Sequence, residues 1–175
     1  MAHPKPLPPV ETLREYFSYD PETGVVARVR TNKYYPNGLG PVGSAEKHGH
    51  LVVRIGRSIY KLHRLAWKLH TGEEPPVRLD HANGNPADNR WCNLRPCSHA
   101  QNIANGKRRS VLLPGAYRIG RKFKASGKLD GKNVYLGLFK TEQEAHDAYV
   151  KWHREHYGEF SVFSRPSSLQ LPDAG

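Results

Sequence analysis

The stretch from Arg78 to Asn105 leaves this chain few ways to fold. Arg78 to His81 reads as a strand. Ala82 to Arg90 is a polar loop crowded with turn formers: Asn83, Gly84, Asn85, Pro86, Asp88 and Asn89. Trp91 to Pro96 reads as the return strand. Ser98 and Gln101 make the S-x-x-Q capping box that opens a helix at residue 99. The order is therefore strand, loop, strand, helix. It sets Asp80, His81, Asn93 and Asn102 at fixed spacing, with Asn102 in the first turns of the helix and facing back toward the strand ends.

Those four residues suit phosphodiester hydrolysis. That reaction needs an activated water, neutralised phosphate charge and a stabilised leaving oxygen, and a divalent ion supplies the last two. Asp80 offers a hard anionic oxygen and Asn102 an amide oxygen, a pair that favours Mg²⁺ or Mn²⁺ over zinc. Two protein ligands leave positions open for water and phosphate oxygens. His81 is the candidate general base, because its ordinary pKa lies near working pH. Neighbours on a strand point to opposite sides, so the loop after His81 must twist for both residues to serve one phosphate. Asn93 is placed to bridge that loop to the return strand and hold His81. The plainer alternative makes Asn83, Asn85, Asn89 and Asn93 turn residues and Asp80-His81 a polar strand end. His99 could offer an imidazole to metal or phosphate, or be a first-turn helix residue. His63 could be a core residue or a support of the site.

Charge points the same way. The chain has 27 Lys+Arg against 16 Asp+Glu, a net +11 over 175 residues, and an excess of this size indicates a polyanionic partner more often than mere solubility. It is uneven: Arg118 to Lys132 contains six basic residues with Asp130 as its one acid. Cys92 and Cys97 are the two cysteines; they lie too close together to close a useful disulfide loop and are too few for a four-sulfur zinc site. No apolar run approaches a membrane span, and the proline-rich start lacks the apolar centre of a secretory signal. A soluble intracellular protein is expected.

Along the chain, residues 1–9 read as disordered. Val10, Leu13, Tyr16 and Phe17 have helical spacing and lead to the turn Tyr19–Gly24. Val25 to Arg30 reads as a strand and 31–49 as a loop. A hairpin is expected around Gly56-Arg57-Ser58, then a helix through Leu62, Leu65, Ala66 and Leu69 that stops at Thr71-Gly72. Lys107 to Ser110 is a basic linker. Beyond it, Lys122, Lys124, Ser126 and Lys128 alternate with Phe123, Ala125, Gly127 and Leu129. Asp130-Gly131 is a hairpin turn signal, Asn133 to Phe139 the next strand, and Thr141-x-x-Glu144 a second capping box. Ala145, Ala148, Tyr149 and Trp152 mark the buried stripe of a helix that ends at Gly158. A three-stranded antiparallel sheet backed by one helix fits 114–163. The lysines of its open face would bind phosphates, and Tyr135, Arg118 and Arg121 could reach phosphates or base edges. A solvated lysine face on a structural domain is the plainer alternative.

Two resemblances rest on these residues. Asp80-His81, Asn93 and Asn102, preceded by His63-Arg64-Leu65-Ala66-Trp67 and accompanied by Asn83-Gly84-Asn85, Asp88-Asn89-Arg90 and Asn93-Leu94-Arg95, resemble the HNH endonucleases with a ββα-metal site. The similarity is to the phage homing type, in which the last histidine is asparagine. It covers roughly residues 10–110. It implies Asp80 and Asn102 as metal ligands, His81 as general base and Asn93 as the brace of the loop. Gly115-Ala116-Tyr117-Arg118, Lys122-Phe123-Lys124-Ala125, Tyr135 to Phe139, Thr141-x-x-Glu144-Ala145, Ala148-Tyr149 and Gly158-Glu159-Phe160 resemble an AP2 DNA-binding domain. That resemblance implies Ser126, Lys128, Asn133 and Tyr135 facing the groove.

The expected fold is α+β: a small β-hairpin and helix region at the N-terminus, a ββα-metal unit, and an AP2-like three-stranded antiparallel sheet plus one helix. The expected divisions are 1–9, a nuclease domain at 10–110 with its core at about 77–106, a DNA-binding domain at 111–165, and a loose tail at 166–175. The expected activity is metal-dependent DNA cleavage, with nicking from one site per chain. The partners would be double-stranded DNA and Mg²⁺ or Mn²⁺, with no membrane and no small-molecule substrate, and a monomer acting on DNA inside a bacteriophage-infected or bacterial cell. The alternative is a DNA-binding protein that does not cut, a regulator or recombination accessory.

Overall fold

Local signals written in the sequence produce most of the elements. A computed structural model describes residues 4–31, 38–106 and 112–164. Helix α1 (Val10–Tyr16) buries Leu13 and runs directly into strand β1 (Phe17–Tyr19), which pairs antiparallel with β2 (Val26–Arg28). Between them, the Asp20 carboxylate accepts from the Glu22 N–H at 2.9 Å and the Thr23 hydroxyl at 2.7 Å, which closes the turn. The region expected as loop also contributes two short strands, β3 (Gly40–Pro41) on the edge of β2 and β4 (Ser44–Ala45) on the edge of the next hairpin. That hairpin is β5 (Leu51–Ile55) and β6 (Ser58–Lys61), and helix α2 (Leu62–Thr71) follows without a gap. Gly72 ends α2 in the left-handed conformation, with φ 83°. The apolar stripe of α2 (Leu62, Leu65, Ala66 and Leu69) packs with Leu13, Phe17, Val26, Val53 and Leu94 into one core.

Strand β7 (Leu79–His81) pairs antiparallel with β8 (Leu94–Pro96), in the register Leu79↔Pro96, Asp80↔Arg95 and His81↔Leu94. The return strand is shorter than expected. Trp91–Asn93 form one 3-10 turn, because pairing begins only at Leu94 and the chain must curl inward to carry Asn93 into the loop. Residues 4–9 are also not loose: Leu7 is buried, its N–H donates to Glu74 Oε1 and its carbonyl accepts from Lys68 Nζ. A lone leucine among prolines gives no periodic signal, so its docking site on α2 could not be read locally.

Helix α3 (His99–Ala104) opens on the expected capping box, with both Ser98–Gln101 bonds formed. Strands β9 (Ala116–Ile119), β10 (Lys122–Leu129) and β11 (Lys132–Phe139) form an antiparallel sheet in the order β11-β10-β9. The β10–β11 turn has φ 47° at Asp130 and 82° at Gly131, the positive pair a tight hairpin requires. Helix α4 (Glu142–Tyr157) starts at the Thr141–Glu144 capping box and packs on one face of the sheet through Ala145 and Ala148. Gly127 lets α4 approach: a Cβ there would lie 2.1 Å from the Trp152 ring.

The chain divides into two compact units, residues 1–97 and 98–175, rather than after residue 110. Asp80, His81 and Asn93 belong to the first and Asn102 to the second. The linker 107–110 and the tail 166–175 lie outside the described residues. Among the described residues, no helix is long and apolar enough to cross a membrane.

The N-terminal turn supports the loop after β7. Gly24 has φ 75°, and a Cβ there would lie 2.5 Å from Arg90 N. Trp91 N–H donates to the Pro21 carbonyl at 2.9 Å, and Tyr19 Oη to the Asn89 carbonyl at 2.8 Å. Gly24→Ala is expected to destabilise the protein by about 1–3 kcal/mol, since it meets both an unfavourable φ and backbone atoms that cannot yield cheaply. Urea unfolding measures it; a change below about 0.5 kcal/mol would contradict this packing.

Candidate active site

Asn93 organises the loop between β7 and β8. Its side chain has no solvent exposure. Its Oδ1 accepts from the Asn83 N–H at 2.9 Å, and its Nδ2 donates to the Asp88 carbonyl at 2.7 Å. Its backbone carbonyl accepts from the Ala82 N–H at 2.9 Å. One carboxamide thus ties the start of the loop to its end. The other loop residues do turn work: Asn83 Oδ1 takes the Asn85 N–H, Asn85 Oδ1 takes the Ala87 N–H, and Asp88 receives Arg90 through both carboxylate oxygens. Asn83 and Asn85 therefore follow the plainer alternative, and Asn93 does more.

His81 ends β7 and is buried. Its Nε2 lies 3.2 Å from Asn89 Oδ1. A carbonyl oxygen only accepts, so this contact selects the tautomer that carries its proton on Nε2. Burial pushes the His81 pKa down, against an upward pull from the Asn89 bond. The ring is therefore neutral at working pH. Asn89, rather than Asn93, touches the imidazole; Asn93 holds the loop that holds Asn89.

Asp80 is also buried, and Arg95, directly across the ladder, donates to its Oδ2 from Nε at 3.1 Å and from a terminal nitrogen at 3.0 Å. This partner was not foreseen. Residues that face each other across a strand pair are legible only once the register is known.

The sequence reading also missed a cluster around His81. His50, just before β5, and His63, in the first turn of α2, bring their rings to 5.7 and 5.1 Å from that of His81, and lie 5.4 Å from each other. The potential ligand nitrogens of the three all fall within 4.8 Å of one another, so the trio could hold a metal ion. His50 Nδ1 and His63 Nδ1 are buried without hydrogen-bond partners. Burial, with the neighbouring His81 and His50, depresses the His63 pKa to about 2. A divalent ion therefore fits the donor chemistry of this pocket, as neutral imidazoles are the ligating form. Arg64, next to His63, donates to the carbonyls of Pro76 at 2.7 Å and Pro75 at 3.1 Å, which anchors α2 to the segment leading into β7.

In the second unit, His99 and Asn102 are exposed residues of α3, and the Asn102 N–H donates to the Ser98 carbonyl at 3.0 Å. On the sheet, Lys122, Lys124, Ser126 and Lys128 pair across the ladder with Ile119, Tyr117, Tyr135 and Asn133. Cross-strand partners share a face, so these residues form one open surface, with Lys124 Nζ 5.7 Å from the centroid of the Tyr117 ring. Arg118 does not join it: it pairs with Phe123, on the face that receives α4, and its Nε bonds back to the Gly120 carbonyl. Arg121 lies in the β9–β10 turn.

A family model described as HNH endonuclease matches residues 60–104. That segment begins in β6, takes in α2 with His63, and contains Asp80, His81, Asn93 and Asn102. The match supports a nuclease, a hydrolase acting on nucleic acid. Comparison with curated proteins and with solved structures gives no match.

Asn93→Ala is expected to cost about 2–4 kcal/mol, because it leaves the Asn83 N–H and the Asp88 carbonyl unpaired in a buried place. Chemical denaturation reads this, and a loss under about 1 kcal/mol would mean the loop closes without it. His63 adds a pH dependence. Its folded pKa lies below its unfolded one, so the unfolded state binds the extra proton between about pH 6.5 and 2. Its stabilising effect is complete above pH 6.5 and is lost progressively as pH falls through that window. His63→Phe should flatten the acid side of a stability-against-pH curve; an unchanged slope would contradict a neutral buried His63.

Proposed function

We propose that the protein is a metal-dependent DNA endonuclease of the homing type, with His81 as general base and Asp80 and Asn102 as ligands of Mg²⁺ or Mn²⁺. The observation that carries this is the loop built on Asn93, which sits within the segment matched by the HNH endonuclease model and presents a neutral, tautomer-selected His81. A bound divalent ion would supply charge neutralisation at the phosphate and stabilise the leaving oxygen. The protein's own part is proton handling. With Nε2–H donated to Asn89, the lone pair of His81 is on Nδ1, and that nitrogen takes the proton of the attacking water. Asn89 steadies the ring as it becomes cationic, and Asn93 keeps Asn89 in place. Arg95 holds the Asp80 carboxylate in one orientation.

The second unit acts in this reading as an AP2-like reader of double-stranded DNA. Lys122, Lys124 and Lys128 meet phosphates, and Ser126, Asn133 and the exposed Tyr135 line the surface that enters the groove. Arg121, at the hairpin turn, reaches a flanking phosphate. Arg118 is dropped from the surface by its register. With one site per chain, the expected product on supercoiled plasmid is a nick.

The test is plasmid nicking in Mg²⁺ or Mn²⁺. His81→Ala and Asp80→Ala should each slow cleavage at least about 100-fold. Cleavage that survives both changes would remove this site from the reaction, and DNA binding without nicking under any divalent metal would favour a non-cleaving DNA-binding protein. For the sheet, Lys124→Ala should weaken binding uniformly across DNA sequences and lower the salt slope of log K by about 1, the signature of one lost phosphate contact. An unaltered salt slope, measured by titration at several salt concentrations, would take Lys124 off the DNA.

A further inference from the structure

We propose that His50, His63 and His81 form a second cation site, a three-imidazole pocket for a borderline transition-metal ion such as Zn²⁺, and that filling it withdraws His81 from catalysis. The second half of this proposal rests on His81 as the general base; the first half does not.

The three side chains come from three separate elements and converge inside one unit: the turn before β5, the first turn of α2 and the end of β7. Their ligand nitrogens lie within 4.8 Å of one another. A tetrahedral ion with bonds of about 2.0–2.1 Å spaces its ligands about 3.4 Å apart, so the three nitrogens draw closer together to bind one ion. Two of the rings keep a buried nitrogen, Nδ1 of His50 and Nδ1 of His63, without a hydrogen-bond partner. Such atoms are costly to bury, and an ion would satisfy one on each ring it meets. A purely structural histidine in a core is normally bonded through a ring nitrogen, as His153 is to the Ser161 hydroxyl at 2.7 Å in the second unit. The third ring has the support typical of a metal-bound imidazole. His81 Nε2 faces Asn89 Oδ1, which fixes the orientation of the ring.

The donor set also selects the ion. Three neutral nitrogens with no carboxylate among them suit Zn²⁺, Co²⁺ or Ni²⁺ and discriminate against Mg²⁺, which prefers oxygen. The ion that would support hydrolysis and the ion that would occupy this pocket are therefore chemically distinct. An imidazole whose lone pair is on a metal cannot accept a proton from water. Occupation would then switch the nuclease off without displacing its Mg²⁺.

The experiment has a binding arm and an activity arm, both on the full chain. Co²⁺ is titrated into metal-free protein and followed by visible absorption, with Zn²⁺ added in competition. The wild type should give the intense bands of a low-coordinate Co²⁺ site, and Zn²⁺ should bleach them and raise Tm. His50→Ala and His63→Gln should each weaken Co²⁺ binding at least about tenfold, whereas His48→Ala, an exposed histidine of the same turn, should not. Circular dichroism shows whether each variant is folded, and the wild-type titration decides the matter if one is not. Absence of a Co²⁺ spectrum and of a Zn²⁺ shift in Tm overturns the site, whatever the nicking activity. In the activity arm, Mg²⁺-supported nicking is measured with and without Zn²⁺, each protein against its own zinc-free rate. Inhibition should follow occupancy in the wild type and in His48→Ala, and should shift to at least about tenfold higher Zn²⁺ in His50→Ala. Equal inhibition of all three overturns the regulatory half. Metal binding in a protein that never nicks DNA would instead overturn the endonuclease reading and leave the pocket standing.

Discussion

The loop between β7 and β8 depends on two hydrogen bonds made by one buried side chain. Asn93 joins the Asn83 N–H to the Asp88 carbonyl, which converts a nine-residue polar excursion into a closed ring with the 3-10 turn at its base. Aspartate could not replace it, because it would present an acceptor where the Asp88 carbonyl needs a donor. Leucine, of similar size, would strand both backbone groups. The rest follows from that closure. Within this closed ring Asn89 reaches His81, and Asp88 takes the fork of Arg90. The N-terminal hairpin lies against the far side of this ring through Gly24, Pro21 and Tyr19, so it acts as a backing for the loop.

What could be read from the sequence was local. The Ser98–Gln101 and Thr141–Glu144 caps, the Gly72 stop, the Asp130-Gly131 turn and the alternation of 122–129 each depend on residues within four or five positions, and each appears as expected. Asn93 was legible as a bridge because its distance from the strand end matched the turn it had to span. What could not be read was tertiary. Leu7 docks on a helix some sixty residues away, Arg95 meets Asp80 only through strand register, and His50, His63 and His81 have no mutual spacing that any periodic template recognises. Arg118 shows the same limit at one-residue scale. Its charge drew it to the DNA surface, but side chains alternate along a strand, and the pairing with Phe123 sets it on the other face.

The two units handle positive charge in opposite ways. On the sheet of the second, Lys122 and Lys128 are exposed and Lys124 half-buried on a face also carrying Tyr117 and Tyr135, so their charge is open to screening. In the first, the basic groups near the loop are consumed internally: Arg95 by Asp80, Arg90 by Asp88, Arg64 by the carbonyls of Pro75 and Pro76. Net charge alone therefore overstates what the loop region can offer a phosphate. In the proposed reading, attraction over distance falls to the lysines of the sheet.

Burial of His81 would be a poor choice for a general acid and a workable one for a base. Desolvation penalises the imidazolium and pushes the His81 pKa down, which favours the neutral ring. The cost is a weaker proton acceptor, since a depressed pKa lowers the driving force for taking a proton from water. The bond to Asn89 works against that loss: when Nδ1 is protonated, the Nε2–H···Oδ1 contact becomes charge-assisted and strengthens, which stabilises the cation at the moment it forms. The neighbouring His50 pulls the other way, disfavouring charge on His81 and also on His63. The basicity of His81 is thus a balance between burial and His50, which lower it, and the Asn89 bond with the Asp80 and Asp88 carboxylates, which raise it. The same three rings supply the donors of the proposed cation site.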